Sequence, residues 1–296
     1  MIKNQKKAVE ANIAEQELNY YRKLYKVNYS IADFTPTVCN LAGVRLPNVC
    51  GGIPSQEVLQ CAETKLGGGT LEKMLIFCPD GIGEIHRKTK PRIFRSISKA
   101  SDIRVLGASV MMSVTPVCFA SIFSGTSPSI HGISNYRKAM VECETLFDVF
   151  PAAGINIALV AYNDCSLDLL FRKRKIDYYS LRSDIAIQEM TQLLLERRNY
   201  DVIICYMNDY DSCSHHTGVF SKESTAQLEL AAKRYLDLIK LSDRCWCNYN
   251  RMVAFISDHG HHTVQDEKGI HGTHHDNIQE DMLVNHYFRF RAAEKD

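Results

Sequence analysis

The sequence predicts an α/β fold, a three-layer sandwich with a mainly parallel sheet. Strand-length apolar runs alternate along the chain with longer amphipathic runs, as in parallel strands joined by crossover helices. Runs such as Met252-Val253-Ala254-Phe255-Ile256 read as strands buried on both faces. Several of these runs end in loops rich in Asp and His, where open α/β sheets place their chemistry.

Taken in order, residues 7–26 are rich in Ala, Glu, Leu and Lys and read as a surface helix ending near Tyr25. Residues 31–44 read as a short helix closed by Gly43. Gly67-Gly68-Gly69 reads as a flexible joint. It divides an N-terminal helical extension, residues 1–70, from a main body, residues 71–296. In the body, strands are expected at 73–78, 103–106, 155–161, 202–207 and 252–256, and helices at 93–99, 115–124, 185–196 and 224–241.

Composition narrows the function. The 296 residues are 45% hydrophobic, enough for a sizeable core, and the formal net charge of +1 argues against a dedicated nucleic-acid surface. The densest basic stretch, His86 to Arg92, reads as a solvated loop. No apolar run approaches the roughly 20 residues of a membrane span, and no secretory signal is visible. The eleven cysteines have no framework spacing, so they are expected to be reduced thiols in the cytoplasm.

Four polar clusters carry the chemistry. The run 252–256 leads into Asp258-His259-Gly260-His261-His262, which offers hard oxygen and imidazole ligands for zinc or a similar ion. The first strand of the body ends in Pro79-Asp80-Gly81, a turn that presents Asp80 at the strand tip. Thr115-Pro116 opens an apolar helix. Thr115 reads either as the N-cap or as a nucleophile at a helix end that welcomes phosphate. After 202–207, Asp211 and His215 stand four apart, so one helical turn puts both on one face. Asp209 and His216 are their rivals. A last cluster runs through His271, His274 and His275; with His259, His261 and His262 it gathers six of the eleven histidines, a crowding that favours metal binding.

Together these residues resemble the alkaline phosphatase superfamily, nearest its nucleotide pyrophosphatase/phosphodiesterase branch. The resemblance runs from about Met74 to Val284. Its pieces are Pro79-Asp80-Gly81, Thr115 ten residues before Gly125, Ser127 to Ile133, Asp211-x-x-x-His215-x-x-Gly218, and Asp258-His259-Gly260 with Gly272-Thr273-His274. The resemblance implies an alkaline-phosphatase-like catalytic body holding two divalent ions, zinc or alternatively manganese. One ion would be held by Asp80, Thr115, Asp258 and His259, the other by Asp211, His215 and His274, with His271 the alternative to His274. It also implies Thr115 as the nucleophile, Asn135 as a contact to the phosphoryl oxygens, and a phospho-threonine intermediate. The expected substrate is a small phosphodiester or nucleotide pyrophosphate.

The chain departs from the family at Tyr210, where a Pro is usual, and at Ser214, where a Gly is usual. Thr115-Pro116-Val117 does not offer the modifiable Cys/Ser-x-Pro-x-Arg setting of a sulfatase. A phosphoglycerate mutase would need a second domain. A phosphomonoesterase of the same superfamily and a non-catalytic metal-bearing scaffold remain the alternatives.

Overall fold

The Val-, Ile- and Phe-rich runs form the centre of a large sheet because each has apolar side chains on both faces. The computed structural model describes residues 2–136, 139–267 and 269–294. Among these, the strands are β1 (Tyr29–Ser30), β2 (Lys73–Pro79), β3 (Ile103–Ala108), β4 (Ile157–Tyr162), β5 (Asp177–Leu181), β6 (Val202–Met207), β7 (Arg251–Ile256), β8 (His262–Asp266), β9 (Gly269–Thr273) and β10 (Leu283–Arg291). Eight of them form one sheet in the order β1-β3-β10-β7-β2-β6-β4-β5, while β8 and β9 pair as a separate hairpin. Pairing is parallel except where β10 runs antiparallel between β3 and β7.

Side-chain alternation divides the core into two layers. Met74, Ile76, Ile204, Met252, Ala254 and Ile256 face one side, with Leu18, Phe34, Val58, Phe119, Phe123 and Phe147 from the helices there. Leu75, Phe77, Ile203, Cys205, Val253 and Phe255 face the other, against Phe94, Ile187, Leu194, Tyr235 and Leu238. This is the expected three-layer α/β arrangement with a mostly parallel sheet.

Residues 2–70 share that core. The helix Ile2–Tyr25 buries Leu18, and β1 adds two residues to the sheet beside β3. Arg22 and Asp33 form a buried ion pair, and Asp33 also accepts hydrogen bonds from the backbone of Ser30 and Ile53 at 2.8 and 2.7 Å. One local feature is added and one expectation is corrected. The triple glycine begins where a helix that the sequence reading missed, Gln56–Leu66, ends: Gly67, at φ +60°, stops it. The basic stretch from His86 is not a loop. It forms the helices Glu84–Thr89 and Pro91–Ala100, with Arg87 paired to Glu84 at 2.7 Å and His86 buried. No helix among the described residues is long and apolar enough to cross a membrane. All eleven cysteines are unpaired.

Candidate metal centre

The neighbouring strands β7, β2 and β6 are parallel, so their C-terminal ends deliver Asp258-His259, Asp80 and the 209–217 segment to one edge of the sheet. Asp80 follows β2 directly, its backbone N–H bonded to Met207 O at 2.9 Å. Gly81 turns the chain at φ +73° and donates its N–H to Asp258 Oδ1 at 3.1 Å. The residues after β6 do form a helix, Asp209–Thr217. It sets His215 Nε2 3.4 Å from Asp211 Oδ1. The β8–β9 hairpin then returns the chain to His274.

Thr115 enters from the helix Thr115–Ser124. It is not the N-cap: Val114 holds that place, and Thr115 is the first helical residue. Its hydroxyl points into the centre, 3.2 Å from Asp80 Oδ2 and 3.5 Å from His259 Nε2. His259 Nε2 lies 3.4 Å from Asp80 Oδ1 and 3.3 Å from Asp258 Oδ2. The rings of His259 and His274 stack with centroids 3.9 Å apart. Two groups of ligand atoms gather, each within 4.8 Å: Asp80, Asp211 and His259, and Asp211, His215, His261 and His274. Asp211 belongs to both.

The electrostatics of this pocket call for cations. Burial, then the neighbouring Asp258 and Asp211 charges, push Asp80 well above the usual carboxylate range. Burial, with Asp211 adding, pushes Asp258 up to about 7. Burial acts on Asp211 too, but the adjoining His215 and His261 imidazoles outweigh it and hold that carboxyl well below its ordinary value. Burial and the surrounding imidazoles hold His259 well below 6.5 and His274 at about 3.

Four imidazoles offer Nδ1 to a backbone carbonyl: His215 to Gly272 at 2.9 Å, His259 to Gly260 at 3.0 Å, His261 to Gly81 at 3.0 Å and His274 to Ser113 at 2.7 Å. That arrangement is typical of metal-binding histidines, because it leaves the Nε2 lone pair turned to the site. Asp211 Oδ1, Asp258 Oδ2 and His261 Nε2 are buried without a hydrogen-bond partner. Orphaned buried acceptors are costly, and divalent cations between them would remove the cost. The residues present therefore fit a metal centre.

The structure thus brings together Asp80, Thr115, Asp211, His215, Asp258, His259 and His274. It separates the rivals: Asp209 pairs with Arg234 at 3.1 Å, while His216 faces solvent. His271 sits in the hairpin beside Asp266. Asn135 is exposed, next to Tyr136, whose hydroxyl lies 3.5 Å from His274 Nε2. Sequence reasoning missed two residues. His261 stood in the histidine crowd without a role. Tyr206, one more apolar residue in a strand, donates its hydroxyl to Asp80. A further carboxylate braces the segment after His274: Asp281 meets His262 Nδ1 at 2.8 Å and accepts the Asp276 N–H at 2.9 Å.

The family model described as type I phosphodiesterase / nucleotide pyrophosphatase matches residues 157–289, a span containing Asp211, His215, Asp258, His259 and His274. No curated protein matches the sequence. Among solved structures, murine ectonucleotide pyrophosphatase / phosphodiesterase 5 superposes with a TM-score of 0.53 at 17% identity, over 66% of this chain and 59% of that one. An inactive threonine-to-alanine form of the same murine protein, in complex with AMP, gives 0.52 at 17% over 66% and 59%. Phosphonoacetate hydrolase from Sinorhizobium meliloti 1021, in complex with phosphonoacetate, gives 0.50 at 18% over 67% and 58%. The C-terminal periplasmic domain of phosphoethanolamine transferase EptC from Campylobacter jejuni gives 0.52 at 17% over 74% and 79%. The fold is shared with all three proteins, though this chain spans only 59% of the murine one.

Proposed function

We propose that this chain, which resembles the nucleotide pyrophosphatase/phosphodiesterase branch of the alkaline phosphatase superfamily in its family match and its fold, is a hydrolase acting on phosphoric ester bonds. More closely, it is a metal-dependent phosphodiesterase or nucleotide pyrophosphatase working through a phospho-threonine intermediate. One observation carries this reading: the buried Thr115 hydroxyl, on the first residue of a helix, meets Asp80 and His259 at the edge of a cluster of buried carboxylates and carbonyl-anchored imidazoles. The catalytic unit is residues 71–296, with residues 1–70 a helical extension packed on it.

Asp80, Thr115, Asp258 and His259 would hold one divalent ion, and Asp211, His215 and His274 a second; zinc is proposed, manganese the alternative. Bound there, the ions would supply positive charge to the attacking and leaving oxygens of an in-line displacement. Thr115 Oγ1 forms the new bond to phosphorus as the ester P–O bond breaks, and water then breaks the Thr115 O–P bond to restore the hydroxyl. Asp80 orients the hydroxyl, and Tyr206 in turn fixes Asp80. The positive end of the Thr115–Ser124 helix favours the negative phosphoryl group. Asn135 serves as a contact to its oxygens.

The substrate is small and phosphorylated, such as a nucleotide, and the setting is the cytoplasm, a reading that eleven unpaired thiols support. The test compares p-nitrophenyl esters of nucleotides, bis-p-nitrophenyl phosphate and p-nitrophenyl phosphate on zinc- or manganese-loaded protein. Preferred diester turnover is the expected result. Preference for the monoester moves the assignment to a phosphomonoesterase, and metal binding without turnover of any ester moves it to a binding scaffold.

A further inference from the structure

We infer that His261 is a fourth protein ligand of the ion grouped with Asp211, His215 and His274. The inference rests on the metal-dependent reading above and concerns how that metal is held. His261 is fully buried. Its Nδ1 lies 3.0 Å from the Gly81 carbonyl, which fixes the proton there and turns the Nε2 lone pair inward. Nε2 has no hydrogen-bond donor and stands 3.1 Å from Asp211 Oδ1, itself orphaned. With Nδ1 turned to Gly81, Nε2 and Asp211 Oδ1 face each other as two acceptors unless a positive charge, a metal ion or a second proton on the ring, lies between them. His215 and His274 meet the same place, their ring centroids 5.2 and 4.8 Å from that of His261.

The backbone is built around this ring. A Cβ at Gly81 would lie 2.3 Å from His261 Cε1 and 2.6 Å from Nδ1, so only glycine lets the ring and its carbonyl partner approach. Gly260 sets the other side. A Cβ there would lie 2.0 Å from Glu280 O, so the strand-end loop packs tightly as it carries His261 inward.

The bland alternative is a core imidazolium paired with Asp211, which needs no metal. Calorimetric zinc titration of chelator-stripped protein separates the two, run on the wild type, on His261→Asn and on Asp258→Ala. X-ray absorption at the zinc edge of the loaded wild type counts imidazoles without any substitution. The expected result is two zinc ions in the wild type with an average of two imidazoles each, and a loss of roughly 100-fold or more in the affinity of one ion in His261→Asn. That ion differs from the one weakened in Asp258→Ala. Wild-type zinc affinities in folded His261→Asn, or an average of 1.5 imidazoles per zinc, would overturn the assignment of His261 while leaving the metal reading intact. A wild type that takes up no zinc, manganese or cobalt would overturn both.

Discussion

Replacing Thr115 by Ala removes one hydroxyl and asks whether it is the attacking group. The structural cost is small. Thr115 does not cap its helix, since Val114 precedes it as the N-cap and the hydroxyl points to Asp80 and His259 instead. What is lost is one hydrogen bond to a carboxylate that keeps its bond from Tyr206, a change of about 1 kcal/mol. Metal binding should largely survive, because Asp80, Asp258 and His259 remain. Turnover should not. Loss of a covalent nucleophile costs at least about a thousandfold, on the order of 4 kcal/mol in the barrier. Thr115→Ser keeps the hydroxyl and loses only the methyl that restricts its rotamer, so it should retain part of the rate. The assay is the initial rate on a chromogenic nucleotide diester, beside a thermal melt and zinc content for each variant. Wild-type-like turnover in folded, zinc-loaded Thr115→Ala would refute the reasoning and pass the nucleophile's role to water.

Gly81→Ala forces a residue at φ +73° to carry a Cβ 2.3 Å from the His261 ring. It should lower stability by about 1–2 kcal/mol and weaken zinc binding as well; a melt and a titration check both. Tyr206→Phe strips Asp80 of its buried donor and should weaken metal binding by about 10- to 100-fold, against no change if Tyr206 is only packing. Zinc affinity should also depend on pH. Burial and Asp211 raise Asp258 to about 7, so in the metal-free protein its proton is held below that pH and lost above it. Metal must displace that proton. Affinity should thus climb about tenfold per pH unit for each such proton, and Asp258's share should level off above about pH 7. His259 and His274 are held neutral and add no competing proton. Titrations at pH 5.5 to 8 read the slope; a flat profile would contradict it.

Much of this was legible in the sequence because the signals are local. β6 falls on the expected 202–207, and β7 begins one residue early. The Asp211–His215 pairing follows from helix periodicity alone. What was hidden depends on long-range pairing. β10 carries Asn285, His286, Arg289 and Arg291 among its apolar residues and is inserted antiparallel between β3 and β7, so no periodicity announces it. The β8–β9 hairpin is largely polar and half-exposed, which reads as loop. Tyr206 looks like any core aromatic until Asp80 arrives from a neighbouring strand. His261 was visible as one histidine in a crowd. Its inward aim depends on the carbonyl of Gly81, 180 residues earlier in the chain.

The most direct test of the central claim is to strip the purified protein with a chelator, assay it on a nucleotide diester, and restore zinc while following rate and bound metal together. The account predicts no turnover in the stripped protein, and a rate that returns in step with the second ion bound per chain. Full turnover in protein shown to hold no metal would contradict it.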